Sequence, residues 1–562
     1  MKLTGFGKFL IVVIILGIFG VVAWFLGLGD VLMGGGDENG NGNGNGNGTN
    51  TATNTPSGPL GSPGNPLKVS IVSFHGYAPA LVANGKSLTT QPGSLMAQND
   101  VNVEFIIQDD IPTLPTIFES GTAHCAWRTS DFWAQEQPNL RNNNLDGRAI
   151  MVVDNTQGGD AIIARDPAIR RVEDLVGKRV ALLQYTPSHG MIIDAVENSS
   201  LTARQKTQIQ YVFINVDEGT AGVRAALESG NVDAAVLWDP DLSLAIKNTQ
   251  GAHVIYSTRI ATNLIYDVIV CDKRVLDDPA NQNAIQGFVK GWMDGVPVAR
   301  GNHDEAVDAL VQTEEFFALL AQQESREFIK SLFENLVWTG LEDNVRILGL
   351  AGGTNHYERV YRRFDGIYRA AGALANPNSP VIQPQDSFDT RYIQSLMEAA
   401  GPQAQQAAQQ PEFQFTEQER DEIATAVQQQ TQQAVVTRPV IVNFATGSAE
   451  LNERSKQTIN TEMVPLIENH GSAYFEVSGN TDSTGSRGAN LRLSQQRAQA
   501  VVDYLVSQWE FNRERFIVVG NGPDKPLCDE RNPDEGLSRE DCQARNRTTR
   551  VAILQRHEGE AG

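Results

Sequence analysis

Two residues of opposite charge, Asp482 and Arg497, lie in one stretch near the C-terminal end of the chain. The stretch Asn480–Leu505 begins with turn-forming residues and continues with apolar residues at helical spacing, so it predicts a loop followed by an amphipathic helix. Asp482 belongs to the loop and Arg497 to the helix. A guanidinium binds a carboxylate through two hydrogen bonds, and a carboxylate accepts hydrogen bonds from an ammonium group. The pair therefore predicts a site for a ligand with both groups.

The same stretch resembles the OmpA-like peptidoglycan-binding domain, over about residues 436–556. The family signature, T-D-x-x-G followed by N-x-x-L-S-x-x-R-A, is present as Thr481, Asp482, Gly485, Asn490, Leu493, Ser494, Arg497 and Ala498. An earlier predicted strand, Val440–Leu451, and a last one, Asn546–Leu554, also resemble the family.

The resemblance implies that Asp482 and Arg497 bind the diaminopimelate of a peptidoglycan stem peptide. It implies further contacts from Thr481, Asn490 and Arg547. The final motif departs from the family pattern, so Arg550 is an alternative to Arg547. From the residues alone, an ordinary surface ion pair between Asp482 and Arg497 is the other interpretation.

The composition restricts the partners and the chemistry. A chain of 562 residues exceeds one ordinary core, and its net charge of −22 without a basic stripe argues against nucleic acid as a partner. The four cysteines form no CxxC pair and the histidines do not cluster, so the sequence predicts no metal site and no cofactor. Cys528 and Cys542 flank a polar insertion, and we expect a disulfide there and an oxidising compartment. We expect Cys125 and Cys271 to be small buried residues.

The N-terminal part predicts a membrane anchor and a tether. Residues 9–28 are apolar and long enough to cross a bilayer as a helix, with lysines before them and acids after them. We therefore expect a cytoplasmic tail at 1–8, a transmembrane signal anchor at 9–28 and a disordered Gly/Asn-rich linker at 29–66. A cleaved signal peptide would have a shorter apolar core and a cleavage site of small residues. The absence of an ionisable residue in 9–28 argues against an ion-conducting role like that of the flagellar stator subunits.

Strands alternate with helices over residues 67–400, which predicts an α/β domain with parallel sheets. This region resembles the periplasmic solute-binding proteins of ABC importers, in the group for nitrate, sulfonates and thiamine precursors. The resemblance rests on the segments Gly76–Pro79, Val152–Arg165, Val172–Leu182, Ala226–Pro240 and Tyr266–Val270. It implies a two-lobed type II periplasmic-binding-protein-like fold, in which the second segment and the last are the passages between the lobes.

Residues at predicted strand ends are the candidates for the solute cleft, because ligands of such sheets bind at the carboxyl ends of the strands. They are Phe74, Tyr77, Thr129, Ser130, Ser188, His189, Trp238 and Asp239. The aromatic ones could instead be core residues, and the polar ones could cap helices or turns. The family's V-D after the first S-G is replaced by Thr122-Ala123-His124. Without an Arg among the candidates, a tightly held phosphate or sulfonate is disfavoured.

Together these patterns predict an inner-membrane protein whose bulk lies in the periplasm. The solute-binding-like domain (67–400) is followed by a Gln/Ala-rich linker and helix (401–434) and by a smaller α/β OmpA-like domain (435–557). We expect a non-enzymatic protein that binds peptidoglycan and a small solute, with an ABC permease as a candidate partner. The pyrimidine synthase of yeast thiamine biosynthesis shares the two-lobed fold but needs a cysteine motif that is absent here. The alternative is a structural tether in which the middle domain is a ligand-free spacer or a protein-docking module.

Overall fold

The computed structural model describes residues 58–429, 434–442, 444–445, 447–533 and 537–555. None of the helices in these ranges is both long and apolar enough to cross a membrane. The predicted tail, the predicted anchor and the predicted linker up to residue 57 lie outside them.

The described ranges contain fifteen β-strands. In chain order they are β1 (Leu67–Ile71), β2 (Val103–Ile107), β3 (Cys125–Thr129), β4 (Gly147–Thr156), β5 (Asp160–Ala164), β6 (Arg179–Leu183), β7 (Gln210–Ile214), β8 (Ala234–Trp238), β9 (His253–Ser257), β10 (Tyr266–Asp272), β11 (Leu336–Trp338), β12 (Val436–Val440), β13 (Tyr474–Asn480), β14 (Phe516–Gly522) and β15 (Thr549–Leu554).

The same ranges contain twenty-two α-helices. They are α1 (Ala78–Ala83), α2 (Leu95–Gln98), α3 (Ile117–Ser120), α4 (Ser130–Asn142), α5 (Pro187–Glu197), α6 (Ala203–Lys206), α7 (Gly219–Glu228), α8 (Asp241–Asn248), α9 (Lys273–Asp277), α10 (Gln282–Gly301), α11 (His303–Thr313), α12 (Glu315–Gln323), α13 (Arg326–Leu332), α14 (Leu341–Ile347), α15 (His356–Ala370), α16 (Arg391–Ala400), α17 (Pro402–Ala408), α18 (Glu417–Gln428), α19 (Glu453–Thr458), α20 (Val464–Asn469), α21 (Arg487–Trp509) and α22 (Arg539–Asn546).

Two mixed sheets form the two-lobed domain. The first lobe has the strand order β11–β4–β10–β3–β1–β2, and the second has β7–β6–β8–β5–β9. The chain leaves the first sheet at Thr156 and begins β5 of the second at Asp160, then returns between Ser257 and Tyr266. The strands on both sides of these passages are buried and pair antiparallel with their neighbours. The predicted passages between the lobes therefore lie where the chain changes sheets.

The described residues of the two predicted linkers pack onto the neighbouring domains. Residues 58–66, expected to be disordered, form turns in which the Gly61 carbonyl accepts from the backbone N–H of Asn102 at 2.7 Å. Gly61 has φ +83° and packs against Ala284 and Val101, so a small turn fits closely onto the first lobe. Within 401–434, α17 packs on α14 of the two-lobed domain, and α18 packs on the last domain through Ile423.

The last domain has a four-stranded sheet in the order β12–β15–β13–β14, with α21 packed across β13 and β14. The predicted strand Val440–Leu451 is wrong in its bounds. β12 ends at Val440 because its partner β15 begins at Thr549, which lies directly opposite Val440. The described residues that follow β12 are irregular and lead to α19.

The last domain contacts the two-lobed domain through residues 468–472. The Tyr256 hydroxyl lies 2.9 Å from His470 Nε2, and both side chains are buried. Arg359 forms an ion pair with Glu468 at 2.7 Å, and the backbone N–H of Asn263 donates to the Asn469 carbonyl at 3.1 Å. Burial lowers the pKa of His470 to about 4, so this contact contains a neutral imidazole at neutral pH.

All four cysteines form disulfides. Cys528 and Cys542 are joined, as are Cys125 and Cys271, for which the sequence predicts free buried side chains. The pairing is hidden in the sequence because the two residues are 146 positions apart. The antiparallel register of β3 and β10 places Cys271 directly opposite Cys125.

We expect the Cys125–Cys271 disulfide to stabilise the fold more than the Cys528–Cys542 disulfide does. Sequence separations are 146 and 14 residues, and loops of about 100 and about 15 residues correspond to about 4.7 and about 3 kcal/mol. Denaturant unfolding of the double variants C125A/C271A and C528A/C542A measures the difference. Equal losses in the two variants would contradict the expectation.

Candidate functional site

The peptidoglycan-binding residues predicted from the sequence surround the start of α21. Ser486 caps this helix, and its side chain accepts from the backbone N–H of Ala489. The Asn490 amide donates to the carbonyls of Thr484 and Asp482, at 2.9 and 3.3 Å, and so fixes the loop before the helix. Asn490 therefore acts through the loop backbone in this structure.

Glycines let α21 approach the sheet closely. A Cβ on Gly479 of β13 would lie 2.1 Å from the Ser494 carbonyl oxygen, and one on Gly520 of β14 would lie 2.8 Å from the Leu491 carbonyl oxygen. Because contacts that short do not occur, larger residues would push the helix away from the strands. The glycines thus fix the position of α21 on the sheet, and with it the position of Arg497, which lies one turn further along the helix.

Asp482 lies between hydrogen-bond donors of the loop and a guanidinium. Its Oδ1 accepts from the backbone N–H of Thr484 at 2.9 Å, and its Oδ2 accepts from Arg547 Nη1 at 2.5 Å. Thr481 is buried, and its hydroxyl donates to the Asp482 carbonyl at 3.0 Å. Of the two alternatives from the final motif, the structure places Arg547 against Asp482, whereas Arg550 donates to the Lys525 carbonyl.

Arg497 is held in place by backbone carbonyls. It is 9% exposed, its guanidinium donates to the carbonyls of Ser448 and Ala445, and it lies over the Phe444 ring at 5.0 Å. Burial and the charge of Arg547 lower the pKa of Arg497, and Asp482 opposes this shift. One carboxylate and two guanidinium groups thus lie close together, with a net positive charge. Asp482 pairs with Arg547 rather than with Arg497.

A second candidate site is a cavity of about 270 Å³ between the two lobes. Of the eight residues predicted for the cleft, four line it: Phe74, Thr129, Trp238 and Asp239. The other four lie behind its wall. Tyr77 is buried and donates to Asp267 Oδ2 at 3.1 Å. Ser130 accepts from the backbone N–H of Tyr266, Ser188 is buried in α5, and His189 packs among Tyr185, Tyr211 and Phe213.

The cavity is lined by acidic and aromatic residues, of which the sequence analysis predicted Phe74, Trp238 and Asp239 and missed the others. Six carboxylates line it: Asp109, Asp160, Glu218, Asp239, Asp241 and Asp267. The aromatic lining residues are Phe74, Trp127, Phe132, Trp238 and Phe316. Asp160 and Asp267 belong to the two predicted passages between lobes, and a carboxylate in an otherwise apolar strand is the signal that could have identified them.

The buried acids of the cleft bind protons more tightly than ordinary carboxylates. Burial raises the pKa of Asp267 to about 7 and that of Asp239 and Asp131 to about 6, with opposing hydrogen bonds to each. Burial also raises the pKa of Asp160 and Asp154 well above the usual range, and Asp267 adds to both shifts. Arg128, a buried guanidinium that faces Tyr77, is ion-paired with Glu136.

Comparison with known proteins supports two different relationships. The chain carries an OmpA family domain, matched over residues 443–539. Over 81 residues it is 36% identical to the peptidoglycan-binding protein ArfA of Mycobacterium bovis, which is 14% of this chain and 22% of that protein.

The middle region is similar to solute-binding proteins. Over 152 residues the chain is 34% identical to the "Putative aliphatic sulfonates-binding protein" of Escherichia coli strain K12, which is 27% of this chain and 44% of that protein. The crystal structure of the periplasmic aliphatic sulphonate-binding protein SsuA from Escherichia coli aligns with a TM-score of 0.44 and 14% identity, covering 59% of this chain and 98% of that one. The chain spans less than half of the length of the two curated relatives named here.

We expect Asp131, Asp239 and Asp267 to contribute stability to the two-lobed domain that is lost as the pH rises from about 5 to about 8. The folded pKa values of Asp131, Asp239 and Asp267 are about 6, 6 and 7, whereas unfolded aspartates titrate near about 3.9. The folded state therefore holds protons that the unfolded chain releases, and this stabilisation is lost above the folded pKa values. Asp267→Asn should reduce the pH dependence and raise the melting temperature at about pH 8.

Thermal unfolding of the ligand-free chain across this pH range measures the effect. The control is Asp100→Asn, at an exposed position with φ +55° that asparagine tolerates. A melting temperature for Asp267→Asn that falls with pH as steeply as that of the parent chain would contradict the assignment.

Proposed function

We propose that this chain is an envelope protein that binds peptidoglycan through its last domain and a small solute through its two-lobed domain. In this proposal residues 9–28 anchor it in the inner membrane and the bulk of the chain lies in the periplasm. The two-lobed domain serves as a transport-associated receptor or sensor, with an ABC permease as its candidate partner. Catalysis is not part of the proposal, and the relatives named above are binding proteins.

The arrangement of Asp482, Arg497 and Arg547 is the observation that carries the peptidoglycan part. Diaminopimelate in a stem peptide presents an ammonium and a carboxylate on one carbon. The ammonium would take the place of Arg547 at Asp482, and the carboxylate would bind the guanidinium groups of Arg497 and the displaced Arg547. Because Arg497 is already oriented by the carbonyls of Ser448 and Ala445, little conformational entropy is lost when the carboxylate binds.

The cavity between the lobes supports the solute part. It lies at the carboxyl ends of β3 and β8, where α/β sheets bind their ligands. Its wall combines aromatic surface with polar groups that could orient a ligand, as in sites for small molecules.

We expect Asp482→Ala and Arg497→Ala each to weaken binding to isolated sacculi by about 30-fold or more, because each removes one partner of a desolvated charge pair. Cosedimentation of the full-length protein with sacculi that contain diaminopimelate measures the loss. Asp482→Asn, which keeps the shape and removes the charge, should bind as weakly as the alanine variant.

Arg487→Ala is the matched control. Arg487 lies on the same helix, but it is exposed and pairs with Asp524 at the surface, so its removal should leave sacculus binding near that of the parent chain. Unchanged cosedimentation of both Asp482→Ala and Arg497→Ala would overturn the proposed site.

A further inference from the structure

The cavity between the lobes has an acidic wall without a compensating base. Six of its described lining residues carry carboxylates, and none of these lining residues is Lys, Arg or His. Asp241 forms an ion pair with Arg224 at 2.7 Å. Arg128, which lies behind the wall, forms an ion pair with Glu136. The buried lining carboxyls without an ion-pair partner among the described residues are Asp160, Asp267 and Asp239.

Asp160 and Asp267 are 5% and 4% exposed, and neither has an ion-pair partner among the described residues. Asp160 lies directly opposite Trp238 in the antiparallel pair of β5 and β8, so both side chains lie on one face of the sheet. Thr156 also lines the cavity and is 2% exposed. Its hydroxyl lies near the Asp160 carboxylate, yet no described residue offers it a partner with hydrogen-bond geometry. A carboxylate, a hydroxyl and an indole ring thus face the cavity together.

Three of the helix N-termini at the cavity are occupied by acids of the chain, whereas the N-terminus of α5, at Thr186 and Pro187, has no acid in its first turn. Helix N-termini attract anions, so α4, α7 and α8 could in principle bind a sulfonate or a phosphate. However, Asp131 lies in the first turn of α4 and Glu218 precedes α7. The Asp239 carboxylate accepts from the backbone N–H of Ser243 in α8 at 3.0 Å. An anionic ligand would therefore meet like charge at three of these helices.

We infer that the ligand of this cavity is an organic cation, an amine or quaternary ammonium with an apolar body. Its charge would be neutralised by Asp160 and Asp267, and its body would contact the aromatic wall that includes Trp127 and Trp238. Tryptophan attracts cations to its ring face, and the attraction is strongest where water is excluded. The described residues contain no group of three or more His, Cys, Asp or Glu side chains arranged for a metal ion, which favours an organic cation. The inference rests on the proposed solute-binding function.

Calorimetric titration and thermal shift of the full-length protein test this inference with matched probes. The cations are choline, betaine aldehyde, putrescine and N-methylpyridinium. The neutral isostere of choline is 3,3-dimethylbutan-1-ol, and the anions are ethanesulfonate, nitrate and phosphate. At about 100 times its dissociation constant, a ligand stabilises by an amount that is readily visible as a shift. We expect saturable binding by at least one cation and by none of the anions.

Two variants test the residues. Asp160→Asn should weaken binding of that cation by about 30-fold, because a desolvated charge pair is broken. Trp238→Leu should weaken it by about fivefold or more, through the lost ring face. Asp100→Asn, at the exposed position, should bind as the parent chain does.

The outcomes separate this inference from the proposed function. Binding of an anion or of the neutral isostere, without binding of a cation, overturns the inference and leaves the receptor function in place. No binding by any probe overturns both and favours a ligand-free spacer. Cation binding that survives in Asp160→Asn and Trp238→Leu overturns the assignment to this cavity.

Discussion

Two carboxylates, Asp154 and Asp267, lie directly opposite each other in adjacent strands of the first lobe. Like charges in this position repel, so the pair depends on protonation and on neighbours that tolerate it. Both residues of the Gly76-Tyr77 motif lie against this pair of carboxyl groups. The Tyr77 hydroxyl donates to Asp267, and a Cβ on Gly76 would lie 2.0 Å from Asp154 Oδ2. The passage between the lobes therefore contains two facing carboxyl groups whose protonated forms are favoured by burial, rather than an ion pair.

The two candidate sites use charge in opposite ways. The last domain places the largely buried Asp482 between Arg497, which is buried, and Arg547, which is half exposed. The cleft buries Asp160, Asp239 and Asp267 without an ion-pair partner among the described residues, so burial favours their protonated forms. A single chain thus combines a cluster of one carboxylate and two guanidinium groups with a cleft of buried carboxyls.

Sequence reasoning located the last domain well because its motif is local: Asp482, Asn490 and Arg497 lie within one loop and one helix. It predicted the cleft residues at the ends of strands, such as Trp238 and Asp239, because the end of an apolar run in the sequence marks the end of a strand. It missed Asp160 and Asp267, which line the cavity because the two sheets meet there. It also missed the Cys125–Cys271 bond, since the register of β3 against β10 cannot be read from either strand alone.

Residues 468–472 contact Tyr256 of the second lobe and Arg359 of α15, and α15 packs on α4 of the first lobe through Tyr361 and Gln137. A rotation between the lobes would therefore alter at least one contact with the last domain. By thermodynamic reciprocity, if binding at the last domain changes the affinity of the cleft for its ligand, binding at the cleft changes the affinity of the last domain by the same factor.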